Sequence, residues 1–598
     1  MDLKVKTREE IEKKYTWNLE KIFANEDEVN KALEEFESKI EEAAKFKGVF
    51  TKSASNLLKM FVLMDELDVD LTKIATYINN RYNEDTTNTK FQEFSEKLNS
   101  LYSKFSAQIS FFDPELLELD LDTINNYYLE EPKLEIYKRE IDRKFTFKPH
   151  TLSTAEEEMI STLRPALSTG SKGFQMLTNA DMKFPEIEHN GEKVRLTQGN
   201  YGIFMESKDR ELRKEVYNKL YTEFVNHKNI LATTLDGTIK TNSLIAKIKK
   251  FDSARQKALF NNEIPISVYE ALVDTVNKNL HELQDFVEMK GRALGIKDDI
   301  EMYDIYPSIA DDSDMTFTFD EAKDIIIDAL QPLGEEYIER LKYGFENRWC
   351  DVYETKGKRS GAYSSGGTGT EPYILLNYHE SLDNMFTVAH EFGHSMHTYF
   401  SCKNQIPAYS GYSIFVAEVA STLNESLLTY YLLDKYKDDI PKKKVIISHF
   451  LDTIRGTLFR QTQFAEFERD IYDHYEKGGA ITADYLYNHY LEINKKYYGK
   501  VGETDLIGYE WARIPHFYYN FYVYQYATGI SAALSFAKRI LEGGEQERDM
   551  YLGFLKSGSS SDPITVLKRA GVDLSTPKPV EDAIEVFKQF KEELKLML

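Results

Sequence analysis

The stretch His390-Glu391-Phe392-Gly393-His394 decides how this chain of 598 residues is interpreted. On a helix, residues four positions apart lie on one face, so His390 and His394 can bind one metal ion through their imidazoles. Glu391 is then close enough to take a proton from a water molecule, whose pKa a zinc ion lowers to about 7. The H-E-x-x-H pattern is typical of zinc-dependent hydrolases, and it predicts one Zn²⁺ per chain.

Apolar residues around this motif recur at helical spacing. They are Met385, Val388, Ala389, Phe392 and Met396. The periodicity predicts a helix from about Asp383 to Cys402, with Asp383 as its N-cap. The alternative is an amphipathic helix that carries two histidines without a metal. A suitable third ligand elsewhere in the sequence would favour the metal site.

A catalytic zinc needs a third protein ligand. The residue six positions after the second histidine is Phe400, so the third histidine of the metzincin pattern is absent. His397 is too close along the helix to complete a tetrahedral site, and we interpret it as a structural residue or as support for a ligand. A second helix, predicted over 413–436, carries Glu418 and Glu425 on one face. Either carboxylate could bind the metal, or both could be ordinary surface glutamates.

Several stretches taken together resemble a known family. The segments HEFGHSMH at 390–397 and FVAEVASTLNE at 415–425 are similar to the thimet-oligopeptidase-like zinc peptidases, in particular the bacterial oligoendopeptidase F group. Three further segments support this resemblance. They are GKRSGAYSSGG at 357–367, PYILLNY at 372–378 and RIPHFYYNFYVYQYATG at 513–529.

The resemblance covers the chain from about residue 200 to the C-terminus, and more loosely upstream. It implies that the two motif histidines and a glutamate on the next helix bind zinc, which match His390, His394 and Glu418. It also implies that the motif glutamate, here Glu391, is the general base. The fold that it implies is predominantly all-α, with two helical lobes enclosing a deep substrate channel that admits only short, unstructured peptides.

Residues 517–537 contain no charged side chain. This length raises the possibility of a membrane helix, but five tyrosines and several amides and hydroxyls argue against one. We therefore predict a buried helix that lines a polar site. On a helical wheel Tyr519, Tyr522 and Tyr526 lie within about 60° of one another.

These tyrosines and His516 are candidate donors to the oxyanion of a peptide-hydrolysis transition state. The resemblance implies the same role, since the family places a histidine and nearby tyrosines opposite the zinc. We favour Tyr522 and Tyr526 over Tyr519. The alternative is that the tyrosine rings only pack in the core, with their hydroxyl groups at its polar edge.

Charge and cysteine content exclude several classes of function. The net charge of −24 argues against nucleic acid or an anionic membrane surface as a partner. Two cysteines outside any C-x-x-C pattern exclude a disulfide framework and a thiolate zinc site. The N-terminus has no apolar signal-peptide core, so we expect a cytoplasmic protein. The sequence does not fix the oligomeric state.

The length of the chain predicts at least two lobes. An Asn-Gly pair at 190–191 between short apolar-containing arms predicts a β-hairpin over 184–196. We set the boundary just after it, with an N-terminal helical lobe at 1–197 and the catalytic domain at 198–598. The acidic segment 311–314 lacks the spacing of a calcium-binding loop, and we interpret it as a solvated turn.

A small β element is expected near the zinc site. Residues 373–378 have β-type composition, and an exposed strand there could pair with an extended peptide. The most consistent hypothesis is a zinc metalloendopeptidase that hydrolyses short peptides. One alternative is a zinc carboxypeptidase or another amide hydrolase, with Arg513 as the anchor for a chain terminus. A non-catalytic, peptide-binding helical scaffold is the other.

Overall fold

Helices account for most of the chain, as the spacing of its apolar residues predicts. The computed structural model describes residues 5–189, 191–310, 315–503 and 505–598. Within these ranges the strands are few and short, and the predominantly all-α fold class is confirmed. No helix in the described ranges is both long enough and apolar enough to cross a lipid bilayer.

The chain opens with helices that precede a short hairpin. Their bounds are Glu26–Ala44 (α1), Ala54–Glu84 (α2), Thr89–Ile109 (α3), Phe112–Glu118 (α4), Leu121–Glu130 (α5), Lys138–Phe147 (α6), Thr154–Leu167 (α7) and Thr169–Met176 (α8). The strands Glu186–His189 (β1) and Glu192–Arg195 (β2) then pair antiparallel. Gly191 has a φ of 81°, which suits a tight hairpin turn. Asn190 and the acidic segment 311–314 lie outside the described residues.

The middle of the chain contains a second run of helices and three more strands. The helices are Gln198–Met205 (α9), Arg210–Asn226 (α10), Lys228–Ile248 (α11), Ala254–Asn261 (α12), Ile266–Lys278 (α13), Leu280–Ala293 (α14), Phe319–Ala329 (α15) and Glu335–Glu346 (α16). The strands are Cys350–Asp351 (β3), Tyr363–Ser365 (β4) and Tyr373–Leu375 (β5).

The last part of the chain is again helical. Its helices are Leu382–Asn404 (α17), Pro407–Ser410 (α18), Ile414–Lys435 (α19), Ile440–Ile454 (α20), Arg460–Glu476 (α21), Ala483–Tyr498 (α22), Tyr524–Gly543 (α23), Glu545–Leu555 (α24), Pro563–Arg569 (α25) and Lys578–Met597 (α26). Short 3₁₀ turns join several of them, including Pro515–Tyr518 just before α23.

The chain folds into two compact units, each assembled from separate segments. The first contains Met1–Thr151, Met315–Tyr431 and Phe536–Gly571, and the second contains Leu152–Asp314, Leu432–Ser535 and Val572–Leu598. This division differs from the sequential boundary predicted after Thr197, which stays a prediction about domains. The expected channel between lobes also stays a prediction.

A three-stranded sheet belongs to the first unit. β5 is its central strand, parallel to β3 and antiparallel to β4. Tyr373 and Leu375 of β5 are buried in the same core as the N-terminal helices. The indole N–H of Trp17 donates to the carbonyl of Ile374 at 2.8 Å, which ties the sheet to the start of the chain. The sheet is therefore joined to the core of the N-terminal helices.

Candidate active site

Helix α17 carries the H-E-x-x-H motif and confirms the helix predicted around it. Its N-cap differs from the prediction. The Ser381 side chain accepts a hydrogen bond from the N–H of Asn384, so the N-cap is Ser381 and the prediction of Asp383 is wrong. Because the serine hydroxyl caps the helix two residues earlier, Asp383 lies in the first turn, where its charge interacts favourably with the helix dipole.

Gly393 allows helix α19 to approach α17 closely. A methyl group at this position would lie 2.5 Å from Cα of Ser421 and 2.6 Å from the carbonyl oxygen of Ala420, closer than such atoms can approach. The glycine inside the motif is therefore required by the helix crossing and not by its own backbone conformation. The same crossing brings Glu418 and Glu425 of α19 against the motif histidines.

Three side-chain atoms converge between α17 and α19. The Nε2 atoms of His390 and His394 lie 3.2 Å apart, and Oε2 of Glu418 lies 3.4 Å from the first and 3.7 Å from the second. A tetrahedral zinc ion with bonds of about 2.0–2.2 Å holds its ligand atoms about 3.3–3.6 Å apart. The two imidazoles and the carboxylate therefore fit zinc in chemistry and in spacing.

The charges around these atoms also favour a cation. Glu391, Glu418 and Glu425 bring three carboxyl groups beside two imidazoles; Glu391 is buried, and the other four side chains are 19–28 % exposed. Several carboxylates buried together are unfavourable unless a cation or hydrogen-bond donors compensate them. A divalent ion at the convergence point would supply that compensation.

Glu425 contacts His390 and does not itself reach the convergence point. Its Oε1 atom lies 2.5 Å from Nδ1 of His390 and accepts the proton of that nitrogen. In the neutral ring the other nitrogen, Nε2, then keeps its lone pair toward Glu418 and His394 and is free to bind a metal. Burial alone would lower the pKa of His390, but the hydrogen bond to Glu425 and the nearby carboxylates raise it to about 9. Burial and the positive charge of His390 lower the pKa of His394 to about 4.

Glu391 has the environment of a general base. Its side chain is buried, and burial raises the pKa of its carboxyl group to about 7. The backbone N–H of Ser364 lies near this carboxylate and opposes part of that rise. The carboxylate oxygen Oε2 makes no hydrogen bond to any described residue. A buried carboxylate with an unpartnered oxygen and a pKa near neutrality is suited to take up and return a proton.

Strand β4 lies directly beside the motif helix. The Ser364 hydroxyl is 2.8 Å from that of Ser395 on α17. The predicted exposed strand at 373–378 is wrong, because only Tyr373–Leu375 is a strand and it is buried in the centre of the sheet. In the described part of the chain β4 pairs on one side only, with β5, so β4 is the edge strand.

His397 is a packing residue. It is 1 % exposed, and its ring stacks on Tyr412 with centroids 3.7 Å apart and planes 6° from parallel. Burial lowers the pKa of His397 to about 3, so the ring is neutral. This agrees with the structural interpretation of His397.

The four predicted oxyanion residues lie together in the second unit. The ring of His516 is 5.6 Å from that of Tyr519 and 6.1 Å from those of Tyr522 and Tyr526. Tyr522 is also 5.4 Å from Tyr526. We call these four residues the aromatic cluster. Burial, aided by the positive charge of Arg460, lowers the pKa of His516, so its imidazole is neutral at neutral pH.

The single helix predicted over 517–537 is wrong at its start. A 3₁₀ turn ends at Tyr518, and α23 begins only at Tyr524. Asn520 and Phe521 between them have φ values of 55° and 59°, in the left-handed region that an α-helix cannot contain. The common helical face expected for the tyrosines therefore does not exist, and a turn brings their rings together instead.

The aromatic cluster and the metal centre belong to different compact units. Its role toward an oxyanion therefore stays a prediction. Arg513, the candidate anchor for a chain terminus, lies over the rings of Tyr201 and Tyr221, at 4.5 Å and 5.8 Å from their centroids. The negative charge of Glu510 also interacts with this guanidinium group. These partners surround the arginine and disfavour its use as an anchor.

Two residues of the site were missed by the analysis of the sequence. Gly393 carried a signal, because a glycine inside a helix is unfavourable unless close packing requires it. Ser364 carried none, since its contact with Glu391 is made by a backbone N–H that any residue but proline possesses.

Comparison with known proteins gives a consistent result. A sequence model of "Peptidase family M3" matches residues 203–586, and one of "Oligopeptidase F" matches residues 115–184. Oligopeptidase PepF of Bacillus subtilis is 43 % identical over 593 residues, which cover 99 % of this chain and 88 % of that protein. Group B oligopeptidase PepB of Streptococcus agalactiae is 42 % identical over 584 residues, which cover 97 % of each chain.

Solved structures show the same similarity. The crystal structure of oligoendopeptidase F from Enterococcus faecium superimposes with a TM-score of 0.74 at 36 % identity, covering 96 % of this chain and 99 % of that one. A protein from Chlamydophila abortus superimposes with a TM-score of 0.92, also at 36 % identity, over the whole of both chains.

Proposed function

Because the chain belongs to peptidase family M3 and is thus a metalloendopeptidase of oligopeptides, we propose that its metal is zinc and that His390, His394 and Glu418 bind it. The observation that carries the proposal is the convergence of their three ligand atoms at spacings close to the edges of a zinc tetrahedron. Glu425 orients the first of these histidines through its Nδ1 proton. Zinc bound there would supply Lewis acidity toward a carbonyl group and toward water.

Glu391 is the proton carrier in this proposal. Its carboxylate takes a proton from the attacking water, and the same carboxyl group then delivers it to the nitrogen of the leaving amine. The N–H of Ser364 on β4 lies beside this carboxylate and favours its charged form. The pKa of about 7 supports both steps, because neither protonation state is strongly disfavoured at neutral pH.

The aromatic cluster is the proposed oxyanion site. His516 is neutral, and Tyr522 and Tyr526 carry phenol hydroxyls, so all three are neutral donors that add no charge to the substrate complex. Tyr519 is half exposed and is the weaker candidate. Neutral donors aimed at a developing oxyanion lower the barrier by roughly 3–4 kcal/mol each.

The outer edge of β4 is the proposed binding surface for the substrate backbone. An extended peptide can add to an edge strand through main-chain hydrogen bonds, which need no particular side chain. Ser364 of this strand touches Glu391, so a peptide paired there would run past the general base. Short, unstructured peptides are the proposed substrates, because a folded segment cannot offer a free strand.

An internally quenched peptide blocked at both ends tests the function. The proposed endopeptidase cuts it as fast as the unblocked peptide. A carboxypeptidase leaves the blocked peptide intact and cuts the unblocked one, and a binding scaffold cuts neither. Cleavage restricted to the unblocked peptide would overturn the proposal.

A cytoplasmic location completes the proposal. A chain with two free cysteines and an acidic pI of about 5.1 is compatible with a reducing compartment. Fractionation of cells that express the full-length protein tests this, and recovery outside the cytoplasm would contradict it.

A further inference from the structure

Glu468 on helix α21 is a fully buried carboxyl group without a cation. Its side chain is 0 % exposed, and no lysine, arginine or histidine of the described residues forms an ion pair with it. Oε1 accepts the backbone N–H of Phe521 at 2.7 Å, and Oε2 makes no hydrogen bond to a described residue. Burial raises the pKa of Glu468 to about 8 against the opposing effect of that N–H. The proposed mechanism does not use this group.

The segment that Glu468 contacts is strained. Asn520 and Phe521 both lie in the left-handed region, at φ values of 55° and 59°. Asparagine tolerates this region, but a phenylalanine there is a genuine outlier. Such conformations persist only where the surroundings hold them, and they are frequent at functional sites.

The Phe521 side chain is held as firmly as its N–H. Its buried ring lies 4.8 Å from that of Tyr472 and 6.0 Å from that of Tyr269. The Tyr269 hydroxyl donates to the carbonyl of Ala465 at 2.6 Å, and the Tyr472 hydroxyl accepts from Asn242 at 2.8 Å. The ring packing and the hydrogen bond to Glu468 both fix this turn against the adjoining helices.

The turn presents two members of the aromatic cluster. Tyr519 immediately precedes the left-handed pair, and Tyr522 immediately follows it. Because the chain reverses between them, their rings meet at 6.2 Å and both face His516. In a continuous helix His516 and Tyr522 would lie about 120° apart around the axis, so the left-handed pair is what brings the Tyr522 ring to His516.

We propose that Glu468 is a positioning residue, whose buried carboxyl group fixes the left-handed turn at Asn520 and Phe521 and thereby places Tyr519 and Tyr522. The inference rests on the proposed oxyanion role of the aromatic cluster. Glu468 itself touches no reacting atom. It acts by accepting the backbone N–H of Phe521.

Paired substitutions test the inference in the zinc-loaded, full-length enzyme. Glu468→Gln keeps a neutral acceptor for the Phe521 N–H, whereas Glu468→Met keeps the volume and removes the acceptor. Glu466→Gln and Glu466→Met are the matched controls, because Glu466 is a buried glutamate on the same helix that instead pairs with Asn277 and Lys496.

Two measurements are made on each variant. Hydrogen exchange of a fragment that covers 519–523 reports the turn, and kcat and KM report its catalytic consequence. For Glu468→Met we expect exchange faster by on the order of 10-fold and kcat lower by a similar factor with little change in KM, as for a lost buried hydrogen bond. Glu468→Gln retains both values, and the Glu466 variants leave exchange at 519–523 unchanged.

A double variant distinguishes a loss of positioning in Glu468→Met from a general folding defect. Glycine adopts the left-handed region without strain, so adding Asn520→Gly to Glu468→Met is expected to recover part of the lost kcat. Recovery supports positioning through the turn, because a general loss of stability would not be corrected there. No recovery, with the turn still exposed to exchange, overturns it.

The outcomes separate this inference from the proposed function. Unchanged exchange at 519–523 in Glu468→Met overturns the inference directly. Faster exchange with unchanged kcat also overturns it, and Tyr522→Phe then shows whether the oxyanion role fails with it. If Tyr522→Phe lowers kcat, the proposed function stands and only the positioning role of Glu468 is lost.

Discussion

At the scale of single residues, Glu418 and Glu425 lie seven positions apart on one helix and have different partners. Glu418 faces both Nε2 atoms of the motif histidines, and Glu425 binds the far side of His390. Periodicity could place both carboxylates on one face of α19, but it could not say which one faces the two Nε2 atoms. That distinction depends on where α17 crosses, which only the packed structure supplies.

The two glutamates should therefore differ in their effect on zinc. Glu418→Ala removes a proposed metal ligand and is expected to abolish tight zinc binding. Glu425→Ala removes a hydrogen bond to a ligand and is expected to weaken zinc affinity by about 10–100-fold. Zinc titration of the two purified variants side by side measures this, and a larger loss in Glu425→Ala would reverse the assignment.

Glu391 should be separable from metal binding. Glu391→Gln keeps the shape of the side chain and leaves the histidines free, so zinc content is expected to stay at the wild-type level. Turnover is expected to fall by roughly 10²–10⁴, the usual contribution of a general base. Metal analysis together with kcat on a quenched peptide measures both, and near-normal turnover would exclude Glu391 as the base.

At the scale of elements, helices were predictable and their junctions were not. The apolar periodicity of α17 and α19 located both helices to within two residues. The same reasoning failed over 517–537, because hydropathy cannot detect two left-handed residues between a 3₁₀ turn and α23. The β composition of 373–378 likewise indicated a strand without indicating that β3 and β4 would cover both of its edges.

The close crossing of α17 and α19 predicts that replacing Gly393 lowers the stability of the protein. Gly393→Ala forces a methyl group against the backbone of Ser421, so it is expected to destabilise the protein by about 1–3 kcal/mol and to weaken zinc binding. Gly237→Ala is the matched control, because Gly237 lies in α11 with no atom within 4 Å of an added Cβ.

Thermal melts and zinc titration compare the two glycine variants. In the control, alanine is expected to stabilise the helix by about 0.5–1 kcal/mol, since it restricts the unfolded chain and loses no contact. Equal stabilisation in both variants would mean that the helices do not need the close approach at position 393.

The turn before α23 leads to a kinetic prediction. Tyr522→Phe and Tyr526→Phe each remove one hydroxyl, and at least one is expected to lower kcat by roughly 10²–10³ with little change in KM or zinc content. Tyr518→Phe is the control in the same stretch, because its hydroxyl is 2.8 Å from that of Thr234.

The Tyr518 control should lose stability by about 1 kcal/mol and keep its kcat. If both cluster variants keep a normal kcat, the tyrosines do not hold the oxyanion and His516 becomes the leading donor. A rise in KM alone would instead indicate that they orient the bound peptide.

At the scale of the whole molecule, length alone predicted more than one lobe but not how the chain is distributed between the units. Residues 536–571 return to the first unit after the chain has passed through the second. A single boundary along the sequence cannot describe this arrangement, because the return of the chain depends on contacts between distant segments. The proposed zinc-binding residues could be predicted more completely than the division into units, because one short motif and one later helix contain all of them.

Zinc removal and restoration test the central claim most directly. The rate of cleavage of an internally quenched peptide, blocked at both ends, is followed while metal-free protein is titrated with zinc. The expected result is no cleavage without metal and a linear recovery that ends at one zinc per chain. Undiminished cleavage by the metal-free protein, or zinc binding at this stoichiometry without recovery of cleavage, would contradict the account.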